Sequence, residues 1–178
     1  MSTLSPPVSA RDHVAGPPEA RVTLVEYGDF ECPHCGALHP VIAAARKAFG
    51  GNLRLAFRHF PLRSTHPHSL AAAKAAEAAA AQGKFWEMHD RLYRRQTELT
   101  DTDLERHARE LGLDVERFRR SLEDHAHEVR IREDLMSAAR SGAKGTPSLF
   151  INGELYQGSL ERDEIMAALA RAAVAGVS

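Results

Sequence analysis

The chain has two cysteines, Cys32 and Cys35, and both fall in one short run, "DFECPHCGALHP". A disulfide across two intervening residues closes too short a loop to restrain the unfolded chain much, so the pair reads as chemical rather than structural. Zinc is the rival chemistry. A structural zinc site needs four ligands, usually with further thiolates. Only histidines could complete one here: His66 and His68 in "THPHS", or His125 and His127 in "DHAHE". The first two read as the opening of a helix. The second two lie two apart on a helix and cannot face one way. The expectation is therefore a redox pair with no metal and no cofactor beyond the two sulfurs.

In disulfide exchange the thiolate attacks. Cys32 follows a strand-like run and stands at the mouth of a helix, where free N–H groups and the helix dipole favour negative charge. Pro33 suits the first helical turn, since its missing N–H is not needed there. A protonated His34 would add positive charge beside the sulfur. These effects lower the Cys32 pKa, stabilise the reduced form and make the disulfide more oxidising. Cys35, one turn further in, should be more buried and should resolve the mixed disulfide.

Two further residues belong to this chemistry. Glu26 stands six residues before Cys32, on a strand face shared with Val22 and Leu24. A buried carboxylate there could relay the Cys35 proton. Pro147 begins a strand in "GAKGTPSLF". A cis bond after Thr146 would turn the Thr146 backbone outward, where an extended client chain could pair with it.

The elements that must hold these groups are legible. "RVTLVEYGDF" alternates as a strand. Leu38, Val41, Ile42, Ala45 and Phe49 follow helical spacing up to Gly50-Gly51, with Pro40 as an expected kink. "NLRLAFRHF" reads as a second strand, parallel to the first across a βαβ unit. From Pro61 to about Lys144 the pattern is helical. Gly83 divides it, Thr100 and Asp103 form a capping box, Gly112 follows a helix end and Asp114 caps the next helix. Phe118, Leu122 and Val129 are expected to face inward. Asn152-Gly153 signals a hairpin. Ser159 can cap a last helix, with Leu160, Ile165 and Leu169 inside. This order implies a flexible tail over 1–20, an α/β unit over 21–61 and 145–178, and an all-helical insertion over 62–144.

Composition narrows the partners. A net charge of −1 calls for no nucleic acid and no anionic membrane. No run approaches the 18 or more apolar residues of a membrane-spanning helix. "MSTLSPPVSA" has neither the positive nor the apolar region of a signal peptide. The expected location is thus cytoplasmic as written, or periplasmic or extracellular if the chain is a trimmed piece. A monomer is expected.

Together, Glu26, F-x-C-P-H-C, the helical block and Gly145-Thr146-Pro147 before a hairpin resemble the DsbA-like thiol–disulfide oxidoreductases of the thioredoxin superfamily, in the BdbD-like branch. "FRHFPL", "HPHSLAAAKAAEAAAAQGKFWEMHDRLY", "LGLD" and "GTPSLFING" are similar to pieces of that branch. The resemblance covers nearly all of residues 21–178. It implies a thioredoxin fold (βαβ then ββα) interrupted by the helical insertion, and an enzyme acting on thiol- or disulfide-containing protein clients, with a separate redox partner. It assigns Cys32 as nucleophile, Cys35 as resolving cysteine, Pro33 and His34 as the tuning dipeptide, and Thr146-Pro147 as the cis-proline element. Glu26 matches the buried acid, and Pro40 the kink proline. The lysine that usually pairs with the acid has no clear match; Arg58 or His59 could stand in.

The resemblance also frames the direction of electron flow. An oxidising pair near about −120 mV stands roughly 100 mV above a cytoplasmic glutathione couple, or roughly 4.7 kcal/mol. Such a site oxidises clients only in an oxidising compartment. A reductase or isomerase with the same site is the alternative, and a non-catalytic thioredoxin-fold binding module is another.

Overall fold

The computed structural model describes residues 2–175. Its strands are β1 (His13–Ala15), β2 (Val22–Gly28), β3 (Leu53–His59), β4 (Ser148–Ile151) and β5 (Glu154–Leu155). They form one sheet in the order β1-β3-β2-β4-β5. β2 and β3 are parallel, as their helical crossover requires. β1 and β4 run antiparallel to their neighbours. The central strand is apolar on both sides because both faces of the sheet are covered. Val22 and Leu24 pack with Leu38, Ile42 and Leu169 on one face. Val25 and Tyr27 pack with Leu4, Ala138 and Phe150 on the other.

The helices are α1 (Pro33–Phe49), α2 (Ser69–Ala80), α3 (Phe85–Arg94), α4 (Asp101–Glu110), α5 (Val115–Leu122), α6 (His125–Ser141) and α7 (Arg162–Ala175). A βαβ unit and a ββα unit are thus separated by five helices, which is the α/β thioredoxin arrangement with its helical insertion. Local signals act where they were read. Thr100 and Asp103 exchange both capping-box bonds, and Asp114 accepts from the Arg117 N–H. Asn152 and Gly153 both have positive φ, as a type I′ turn needs. α1 runs through Pro40 to Phe49. Phe30, Cys32 and Cys35 share one apolar cluster with Met88, Leu92, Tyr93 and Phe118, so the cysteine pair backs directly onto the helical block.

Three expectations need correction. Of the segment read as a flexible tail over 1–20, the described residues 2–20 are not loose. Thr3 bridges Glu154 at one edge of the sheet, while His13–Ala15 pair with β3 at the other. Between these edges the Arg58 guanidinium donates to the Pro6 carbonyl at 3.0 Å and to Asp12 at 2.7 Å. What holds this strap is backbone pairing and side-chain bonds to distant residues such as Arg58, Glu77 and Ser141, so its Pro- and Ser-rich composition carries no alternation to betray it. Val129 and Leu160 lie at the surface, 37% and 36% exposed. In α6 the inward residues begin at Ile131 and include Ala138, and Val129 is not among them. Leu160 precedes α7 and so falls off the stripe that Ile165 and Leu169 form.

Candidate functional site

β2 ends at Gly28, and four residues later Cys32 is the N-cap of α1, in extended conformation (φ −72°, ψ 120°) with Pro33 opening the helix. No side chain caps this helix, which leaves its first N–H groups to the sulfur. Both thiols are free. Cys35 is fully buried and Cys32 is 3% exposed. The Cys32 pKa is lowered from 9.0 to about 5. The largest cause is a hydrogen bond from the Cys35 thiol. Burial opposes it, and Thr146 and the N–H groups of Cys35 and His34 add to it. His34 thus acts on Cys32 through its backbone; its ring is exposed. Cys35 is pushed far above the thiol range by its bond to Cys32, by burial and by the Glu26 charge.

The Thr146–Pro147 peptide is cis. Its Thr146 carbonyl faces the redox pair and accepts from the Cys32 thiol at 3.6 Å. The Thr146 hydroxyl is buried without a hydrogen-bond partner among the described residues. A cavity of about 500 Å³ opens beside this loop, lined by Lys144, Thr146, Pro147, Ser148 and Tyr156 among others.

Glu26 is buried, 1% exposed. Burial raises its pKa from 4.5 to about 8, a hydrogen bond from Tyr93 works against this, and the Cys32 charge adds to it. Tyr93 on α3 donates to Glu26 Oε1 at 3.1 Å. Neither Arg58 nor His59 takes the place of the family lysine. Glu26 sits opposite Phe57 in the sheet, which puts Arg58 on the other face, bound to Asp12 and Tyr27. His59 is bound to Glu77 at 2.7 Å. Gly28 makes the Tyr93–Glu26 contact possible, since a Cβ there would collide with the Tyr93 hydroxyl and crowd Phe57 and Glu26.

Phe30, beside the cysteine pair in sequence, is core: it is 1% exposed and stacks on Phe57 at 5.3 Å. Asp29 was missed. It is buried and accepts from the N–H groups of Glu31 and Leu62 and from His66 Nδ1, at 2.8 to 2.9 Å. Its bond to Glu31 two residues on is a turn signal that the sequence does contain. Tyr93 and Gln96 were also missed, and no local pattern marks them.

The histidines weighed as zinc ligands have other partners. His66 binds Asp29, His68 binds Glu31 and His127 binds Ser121, while His125 lies 3.8 Å from Glu128. Among the described residues, the groups whose geometry could hold a metal are His13, His59 and Glu77, and His39, His89 and Asp90. Neither includes a cysteine.

Comparison with known proteins agrees with this geometry. A family model described as thioredoxin matches residues 9–171. A thioredoxin-like oxidoreductase from Silicibacter pomeroyi is 33% identical, with a TM-score of 0.82 over 92% of this chain and 93% of that one. BdbD from Bacillus subtilis shares the fold, with a TM-score of 0.83 and 22% identity over 92% and 94% of the two chains. A curated relative, the Na(+)/H(+) antiporter NhaA 1 of Salinispora arenicola, is 49% identical over 91% of this chain but only 25% of its own length. The chain therefore spans about a quarter of the curated relatives it matches.

These findings overturn the cytoplasmic expectation. It rested on where the chain begins, and a chain matching a quarter of an antiporter cannot be located from its first residues. A neighbour in fold from Salmonella enterica, 21% identical with a TM-score of 0.79 over 93% and 92% of the two chains, is described as periplasmic. Among the described residues no helix is long and apolar enough to cross a membrane. With Cys32 and Cys35 at the helix mouth, the cis Thr146–Pro147 bond opposite and the match over 9–171, the chain belongs to the thioredoxin family.

Proposed function

We propose that the chain is a dithiol oxidase of DsbA type, acting on cysteine-containing protein clients. The observation that carries this reading is the uncapped helix mouth at Cys32, whose free N–H groups at His34 and Cys35 favour its thiolate. A low thiol pKa stabilises the reduced pair, which makes its disulfide a good oxidant. In the forward step a client thiolate attacks the Cys32 sulfur of the Cys32–Cys35 disulfide, and Cys35 leaves as thiolate. A second client thiolate then attacks the client sulfur of the mixed disulfide, and Cys32 leaves as thiolate. The client gains a disulfide, and the pair gains two electrons.

Cys35 needs a proton when it leaves, because its thiolate is strongly disfavoured where it lies. Glu26, with a pKa of about 8, is the group we assign to deliver it. Tyr93 orients that carboxyl. The cavity beside Thr146 and Pro147 is where an extended client would add its backbone to the loop. No cofactor beyond the pair enters these steps. A separate redox partner must reoxidise it.

Two measurements test the reading. Cys32→Ser should abolish both dithiol oxidation of a reduced client and reduction of insulin disulfides; retained activity would sink it. The reduction potential should stand above the glutathione range of about −220 to −260 mV. A value below that range would make the protein a reductase.

A further inference from the structure

We infer that Gln96 is a positioning residue for the redox pair: a clamp from the helical block that holds the N-cap so that the helix mouth stays aimed at the Cys32 sulfur. The inference deepens the functional reading and rests on Cys32 being the reactive thiolate.

Gln96 lies just past the end of α3 and is half-buried. Its Nε2 donates to the Phe30 carbonyl at 2.9 Å and to the Cys32 carbonyl at 2.8 Å. The Cys32 carbonyl also accepts from the Gly36 N–H at 3.0 Å, the first bond of the helix. The Cys32 N–H donates to the Asp29 carbonyl at 3.1 Å. The Cys32 backbone is therefore tied from both sides. Its ψ of 120° is what sets the sulfur between the Thr146 carbonyl and the N–H groups of His34 and Cys35. A thiolate is stabilised by donors only when they are already aimed at it, so a support that fixes the backbone acts on the sulfur without touching it. The amide donors also place positive charge beside the Cys32 peptide, which favours the thiolate by its sign.

A second, separate feature points the same way. Gly36 faces the Gln96 amide, and a Cβ there would overlap its oxygen and crowd its carbon and nitrogen. Gly36 lies inside α1, where glycine is less favourable than alanine. Here it keeps the space that the clamp occupies.

The inference can be broken from either side. Gln96→Met keeps the length of the side chain and removes both donors. Gly36→Ala leaves Gln96 in the chain and takes away its room. In reduced protein, titration of thiolate absorbance should show the Cys32 pKa rising by about one unit in each variant, a tenfold loss of thiolate stabilisation. The double variant should shift no further than the larger single shift, because both changes remove one contact. Urea unfolding of the same variants reports stability separately, and either variant can carry the test if the other does not fold. If the wild-type thiol is lowered but neither variant moves it while stability falls, Gln96 only anchors the loop and the inference is overturned alone. If the wild-type thiol titrates near the free value of about 8.5, the functional reading fails and takes the inference with it.

Discussion

Glu26 and Glu77 are both buried, 1% and 7% exposed, yet their ionisation is pulled in opposite directions. Burial raises each of them. Glu26 receives one hydrogen bond from a neutral phenol and faces the Cys32 charge, and its pKa climbs to about 8. Glu77 binds His13 at 2.6 Å and His59 at 2.7 Å, and these bonds hold it well below the usual carboxylate range. Partners, not depth, decide the sign. Glu77 is a structural tie joining β1, β3 and α2. Glu26 is a buried carboxyl whose proton is favoured by burial.

The largest expected effect comes from cutting the tie. Removing one partner of a buried pair costs about 3–5 kcal/mol, so Glu77→Ala should lose on the order of 3 kcal/mol in urea unfolding at pH 7. A loss under about 1 kcal/mol would mean that the histidines do not need the carboxylate. The folded pKa of Glu77 is depressed, so its contribution is present above about pH 4.5 and is lost as pH falls below that. The variant should lose less stability than the wild type on acidification.

Glu26→Gln should have the opposite sign. Its folded pKa is raised, so between about pH 4.5 and 8 the unfolded chain ionises there and the folded chain does not. Stability from this group falls as pH rises through that window. At pH 7 the variant should be the more stable by about 3 kcal/mol. The comparison must be made on reduced protein, as the difference between variant and wild type. Cys32, whose folded pKa is lowered, drives stability upward over part of the same range and is common to both. Equal pH profiles would show that Glu26 is ionised like an exposed residue. The variant should also slow turnover if Glu26 carries the Cys35 proton.

Tyr93→Phe is the smallest change. It removes the one hydrogen bond that favours the Glu26 carboxylate, worth about 1 kcal/mol, or somewhat under one pKa unit. Carbon NMR titration of the Glu26 carboxyl should find the pKa moved further up. A downward or absent shift would contradict the donor role of the phenol and narrow the contrast with Glu77.

How much of this was legible depended on whether the cause was local. Cys32, Pro33 and Cys35 are neighbours at a strand-to-helix junction, so spacing alone placed them on one helix mouth. Thr100 and Asp103, or Asn152 and Gly153, are caps and turns whose hydrogen bonds span a few residues. Arg58 failed as a partner of Glu26 because parallel register put it on the other face, and His59, on the same face, is held by Glu77. The strap over residues 2–15 left no pattern because its partners are the edges of a sheet made elsewhere in the chain. Tyr93 and Gln96 are ordinary polar residues near the end of one helix. Only the packing of α3 against the β2–α1 junction turns them toward Glu26 and Cys32.

From the sequence alone came the two cysteines at a helix mouth, the order of the elements and Thr146-Pro147 ahead of the hairpin, since each is written in contiguous residues and short-range geometry. Tertiary structure alone decided what surrounds the pair: which carboxylate holds a proton, which phenol orients it, and which amide fixes the N-cap. Those outcomes depend on desolvation and on contacts between residues more than sixty positions apart, and no local pattern encodes them.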